Sequence, residues 1–230
     1  MDALLPFRDR AQAGRRLAEA LARFHEAHPL VLAIPRGAVP MARIIADALH
    51  GDLDIILVRK LGAPDNPEFA IGAIDERGEV MLDAAAVEWS GAGRDYLQRE
   101  ASRQLALSLD HRLGDCGGRP GPAPEGRTVI VVDDGLATGA TMLAALRAVR
   151  AKHPAHLVCA VPVAARESLA QVARVADEVV ALAVPPAFGS VGRYYLDFRG
   201  VEDEEVMAAL GDGQGTESAS VGSIPPCGAG

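Results

Sequence analysis

Five short runs of β-branched and aliphatic residues set the class of fold open to this chain. They lie at 30–34 (LVLAI), 54–58 (DIILV), 128–132 (TVIVV), 156–161 (HLVCAV) and 178–182 (EVVAL). None alternates strictly between apolar and polar residues. A strand covered on one face reads with period two, whereas a strand covered on both faces reads as a continuous apolar run. The runs therefore predict a central, mainly parallel sheet. Ala- and Leu-rich stretches with helical spacing separate them, at 39–49, 94–113, 139–152 and 166–175, and another at 11–28 precedes the first run. Strand alternating with helix is the pattern of a doubly wound α/β protein, here with a five-stranded sheet flanked by helices.

Two connections depart from this alternation. The stretch from residue 61 to about 94 is too long for a simple turn and carries Pro64, Pro67, Gly72, Gly78, Gly91, Gly93 and two short apolar runs (FAIGAI, EVML). It reads as a β-rich excursion beside a site. The Gly- and Pro-rich stretch 114–126 reads as a loop. Residues 211–230 lack the apolar content to fold and are expected to be a disordered tail, leaving a single domain over 1–210. With 230 residues, 49% of them hydrophobic, the chain can bury a core without disulfides or a structural metal.

Charge and cysteine usage narrow the function classes. The net charge of −8 gives no general attraction to nucleic acid or to an anionic membrane. No apolar run reaches the length of a membrane span, and the charged first 25 residues lack a signal-peptide core. Cys116, Cys159 and Cys227 form no metal-ligand spacing and no disulfide framework, so a reducing cytoplasm is expected.

The stretch that carries chemistry is TVIVVDDGLATGATM, 128–142. A buried strand runs into Asp133 and Asp134, a loop of small residues follows, and then a helix begins. In open α/β sheets this is where ligands bind. Unpaired amides at the start of the helix, with Thr138 and Thr141, attract an anion such as phosphate, and Gly139 permits close backbone approach. Two carboxylates would repel that phosphate. They fit a ligand that also carries a diol, whose hydroxyls they accept, and they offset positive charge developing on its ring. Together these features predict a phosphorylated sugar.

VVDDGLATGAT resembles the PRPP-binding motif of type I phosphoribosyltransferases, and the strand and helix order agrees over about 30–185. The resemblance implies the type I phosphoribosyltransferase fold with a flap or hood, the insertion being 62–103. It implies that Asp133 and Asp134 meet the ribose hydroxyls and that Ala137, Thr138, Gly139, Ala140 and Thr141 hold the 5′-phosphate. IPRGAVP, 34–40, corresponds to the pyrophosphate loop, with Arg36 and Gly37 as contacts. Lys60, one of two lysines, follows the second core run, where the family places a further pyrophosphate contact. Arg94, Arg99 and Arg103 are candidates to reach the leaving group. Phe188, Tyr194 and Tyr195, three of nine aromatic residues, are candidates to stack an acceptor base.

The implied activity is transfer of the 5-phosphoribosyl group from PRPP to a nitrogen acceptor, a nucleobase with purines included, releasing pyrophosphate. Catalysis would fall to Asp133, Asp134, Lys60 and Arg36, with Mg²⁺ as cofactor. Asp133 is its candidate contact, through water or the ribose hydroxyls. A homodimer is the family default. Hypoxanthine-guanine-type members carry an acid at the position of Ala137, so the acceptor stays open. The alternatives are a non-catalytic PRPP- or nucleotide-sensing regulator on the same fold and a sugar-phosphate hydrolase. Other motifs fail: His25-Glu26-Ala27-His28 has the wrong spacing for a zinc helix, and Gly135–Thr141 lacks the Gly-Lys-Ser/Thr of a nucleotide-triphosphate loop.

Overall fold

A computed structural model describes residues 5–67, 69–75, 78–116 and 121–211. Residues 212–230, which hold nearly all of the expected tail, lie outside the described residues. The chain begins with α1 (Arg10–Ala20), then β1 (Leu30–Ala33), α2 (Val39–Leu49) and β2 (Asp52–Ile55). An excursion follows, made of β3 (Val58–Gly62), β4 (Ala70–Asp75), β5 (Val80–Leu82), α3 (Ala84–Ser90) and α4 (Arg94–Cys116). The chain then returns through β6 (Thr128–Val132), α5 (Ala140–Arg150), β7 (His156–Val163), α6 (Arg166–Val172), β8 (Glu178–Ala183) and α7 (Asp203–Gly211).

The central sheet has the order β2-β1-β6-β7-β8, with every pair parallel. Side chains alternate between two apolar layers, and both are sealed. Val31, Ala33, Ile130, Val132, Val158 and Ala160 face one layer with Leu17 of α1 and Met41, Ile45 and Leu49 of α2. Leu30, Leu32, Val129, Val131, Leu157 and Cys159 face the other with Leu146 and Val149 of α5 and Val172 of α6. The continuous apolar runs of the sequence are thus explained by burial on both sides. Helix α1 lies close on α2: a Cβ on Gly14 would stand 3.0 Å from the Met41 Cα.

The structure corrects two element boundaries. The run 54–58 is not one core strand. Only the part through Ile55 pairs with β1, the strand begins earlier at Asp52, and Val58 already belongs to the antiparallel excursion. β2 is an edge strand whose first three residues are exposed or half-buried and only Ile55 is buried, so continuous hydrophobicity did not mark it. The N-terminal helix ends at Ala20 and gives way to a 3-10 turn over Ala22–Ala27. His28 then takes a left-handed conformation (φ 43°) ahead of Pro29, which disfavours a right-handed helical residue before it.

The excursion has an apolar cluster of its own, with Leu61, Ile71, Ile74 and Ala101 packed by Phe69, Tyr96 and Leu97. An ion pair fastens it to the central domain. Lys152 Nζ, just past α5, lies 2.9 Å from Asp75 Oδ2, and that carboxylate is 1% exposed. The segment before α1 also meets the segment after β8. The Phe7 amide donates to the Tyr194 carbonyl at 2.8 Å and the Leu196 amide to the Phe7 carbonyl at 2.8 Å. Among the described residues no helix is long and apolar enough to cross a membrane.

Candidate active site

Asp133 and Asp134 leave the carboxyl end of β6 together. The Asp133 amide extends the ladder by donating to the Ala160 carbonyl at 3.3 Å. The Asp134 amide then turns back and donates to Asp133 Oδ1 at 2.8 Å. Asp134 Oδ2 accepts from Arg10 twice, from Nε at 3.1 Å and from Nη2 at 2.8 Å. The two remaining oxygens, Asp133 Oδ2 and Asp134 Oδ1, accept from no described residue. Burial, and then the negative charge of Asp134, push the Asp133 carboxyl up to about 8, against smaller downward pulls from the Asp134 amide and Arg10. Each acid thus has one oxygen held by the protein and one that meets no described donor; on Asp133 the latter carries the proton while the acid is neutral.

Further groups hold the pair in place. The Tyr195 hydroxyl donates to the Asp134 carbonyl at 2.7 Å. Gly37, in the loop after β1, lies so close that a Cβ there would overlap Asp134 Oδ2. The glycine is therefore required by proximity to the acid pair. The preceding peptide, Pro35–Arg36, is cis. Val39 closes this loop by donating its amide to the Arg36 carbonyl at 3.1 Å.

The loop 135–141 is anchored from below and open above. The Leu136 amide donates to the Val163 carbonyl, and the Ala165 amide to the Leu136 carbonyl, both at 2.8 Å. Buried Ser168 of α6 donates its hydroxyl to the Ala137 carbonyl at 2.5 Å. Gly139 takes a left-handed conformation (φ +78°), and a Cβ there would crowd the Ser168 Cβ at 3.2 Å. Ala137, Thr138, Ala140 and Thr141 are exposed. No side chain caps α5, and its first backbone bond runs from the Leu143 amide to the Gly139 carbonyl. The amides of residues 140–142 therefore precede the helical ladder, as donors for an anion.

The other residues expected at a site are distributed unevenly. Arg36 flanks the acid pair, and its Nη1 is paired with Asp203 Oδ1 of α7 at 2.5 Å. Lys60 comes after β2 in the chain but not in a loop. It lies inside β3, opposite Ala73, and is half-buried. Tyr195 is corrected as a stacking face, because its ring is only 6% exposed and packs between Phe7 and Phe198. Phe188 and Tyr194 remain together at the surface side of this segment, with ring centroids 5.4 Å apart. Arg103 is taken up by Glu100 on its own helix at 2.8 Å. Arg94 lines an apolar groove between α4 and β5. No described contact ties Arg94, Arg99 or Arg103 to the acid pair.

Arg10 and Ser168 carry no mark in the sequence. Arg10 is 124 positions from Asp134 and is one of many arginines. Ser168 sits in a short helix with no distinctive neighbours.

A family model described as Phosphoribosyl transferase domain matches residues 1–199. Among curated proteins, "Putative phosphoribosyl transferase Rv0571c" of Mycobacterium tuberculosis is 40% identical over 207 residues, which is 89% of this chain and 46% of that protein. The corresponding protein of a second strain of the same organism matches equally. The chain thus spans about half the length of these relatives. Among solved structures, TT1426 from Thermus thermophilus is 49% identical, with a TM-score of 0.84 over 90% of this chain and 98% of the other.

Proposed function

The chain belongs to the phosphoribosyl transferase domain family, and from that membership we propose that it transfers the 5-phosphoribosyl group of PRPP to a nitrogen acceptor, releasing pyrophosphate. The observation that carries this reading is the acid pair with one open oxygen on each carboxylate, set one loop away from the uncapped start of α5. A sugar phosphate has the matching groups: a diol for the acids and a phosphate for the amides of residues 140–142, with Thr138 and Thr141. The acceptor would be a nucleobase, purines included.

In the reaction the acceptor nitrogen attacks C1 of the ribose as the bond from C1 to the pyrophosphate oxygen breaks. Pyrophosphate leaves with the electron pair, and the acceptor nitrogen gives up its proton to solvent. The ring passes through an oxocarbenium-like state. Asp133 and Asp134 hold the ribose hydroxyls; the Asp134 carboxylate offsets the positive charge, and Asp133 joins it once ionised, which its surroundings oppose below about 8. Arg36, released from Asp203, and the amides around Gly37 take the charge of the departing pyrophosphate. Lys60 is a second cation for the same group.

Mg²⁺ fits this set of donors. Among the described residues no three acidic, His or Cys side chains converge as a ligand set. Mg²⁺ commonly takes one or two carboxylates and completes its shell with substrate oxygens and water. The half-buried Asp133 carboxyl, whose ionisation is opposed by its surroundings, gains from a nearby cation. When bound with PRPP, the ion would neutralise pyrophosphate charge.

Pyrophosphate release from PRPP and Mg²⁺ tests the reading, with pooled purine and pyrimidine bases against a control without base. Base-dependent release is expected, and Asp134→Asn is expected to lower it strongly while the fold survives. Release without any base would instead favour hydrolysis. A second reading, a PRPP or nucleotide sensor, is favoured by one observation: Arg36 is already committed to Asp203. A melting temperature raised by PRPP, with no release under any base, would establish that reading in place of the first.

A further inference from the structure

We infer that Arg10 is a positioning residue for sugar recognition: it fixes the Asp134 carboxylate so that Oδ1 is presented to a ribose hydroxyl, and it makes that recognition depend on the segment 197–199. The inference rests on the sugar-phosphate reading of the site.

Three contacts on Arg10 carry it. Nε and Nη2 both donate to the same oxygen, Asp134 Oδ2. A guanidinium facing a carboxylate commonly engages both oxygens, and that geometry would consume the pair. Here one oxygen receives both bonds and Oδ1 is left open. Nη1 donates in another direction, to the Arg199 carbonyl at 2.6 Å. The guanidinium also lies over the Phe198 ring, 4.0 Å from its centroid. The side chains of Arg10 and Asp134 are only 13% and 17% exposed, so water screens the pair little and its geometry is held by packing.

Neighbouring groups restrict the carboxylate further. Gly37 closes one side of Asp134 Oδ2, and the Tyr195 hydroxyl holds the Asp134 backbone. Tyr195 stacks on Phe198 at 5.0 Å. Arg10, Phe198 and Tyr195 thus form one bracket around Asp134. The bracket is built from the first helix and the segment before α7, and neither contains the acid it serves. Arg10 does not touch the sugar. It acts through Asp134, and its expected signature is selectivity for a hydroxyl.

The test compares binding of ribose 5-phosphate and 2-deoxyribose 5-phosphate to the full chain and to Arg10→Gln, by calorimetry without metal. The parent protein is expected to prefer the ribose compound. Arg10→Gln is expected to lower that preference about tenfold, the scale of one hydrogen bond to a charged group, while keeping its affinity for 2-deoxyribose 5-phosphate. Arg10→Lys keeps the charge without the fork and is expected to fall between the two. Equal binding of both compounds by the parent overturns the diol reading and this inference with it. A parent preference that Arg10→Gln retains within about twofold overturns the role of Arg10 alone. If Arg10→Gln does not fold, Arg10→Lys decides by the same criterion. A loss of affinity for both compounds alike would mark Arg10 as a structural residue and also overturns the inference.

Discussion

At the scale of single residues, the acid pair trades stability for an open acceptor. Asp133 ionises near 8 in the folded chain and near 3.8 when unfolded. Between those values the folded state holds the proton more tightly, so this residue's contribution to stability declines as pH rises through the window. Asp133→Asn cannot ionise and keeps an oxygen for the Asp134 amide. It is expected to melt a few degrees above the parent at about pH 8.5, with the gap shrinking toward about pH 5, as thermal melts across pH would read. Gly37→Ala acts in the opposite way. Its Cβ would overlap Asp134 Oδ2, so the carboxylate must move, costing about 1–3 kcal/mol and roughly tenfold or more in ribose 5-phosphate affinity. The sequence makes Asp133, Asp134 and the 137–141 loop legible because they are contiguous and end an apolar run. Arg10 was illegible because only the crossing of α1 over the site brings it near. Tyr195 was visible as an aromatic, but its burial was not.

At the scale of elements, the two anchors of the molecule differ in kind. Loop 135–141 is shaped by backbone bonds to β7 and α6 and by the left-handed Gly139. Gly139→Ala would face both an unfavourable φ and the Ser168 side chain, and is expected to cost about 1–2 kcal/mol in denaturant unfolding. The excursion is fastened by Val58 and Met81, which pack on one central apolar layer, and by a buried ion pair. Lys152→Met would remove the ammonium beside Asp75, which is 1% exposed, at an expected cost of about 3 kcal/mol. The continuous apolar runs at 128–132 and 156–161 identified central strands correctly because both of their faces are covered. The run 54–58 misled because an edge strand and the first strand of the excursion adjoin there, and hydrophobicity alone does not separate them. The same boundary puts Lys60 inside β3 rather than in a loop.

At the scale of the whole molecule, the parallel sheet carries an apolar layer on each face, and the excursion has a smaller apolar cluster of its own. Segments with their own small core open below the global unfolding free energy. Native-state hydrogen exchange is therefore expected to be faster for the amides of β4 and β5 than for those of β6 and β7, and Lys152→Met is expected to widen the difference. The same architecture bears on how the protein is made. Asp133 and Asp134 lie far in sequence from their bracket: Arg10 is 124 positions before Asp134 and Tyr195 is 61 positions after it, with Phe198 and Arg199 beyond. On the ribosome, a nascent chain can lay down most of its sheet while the acid pair still lacks its supports. The acid pair gains its supports only once the segment around residue 199 has emerged and closed on the first helix.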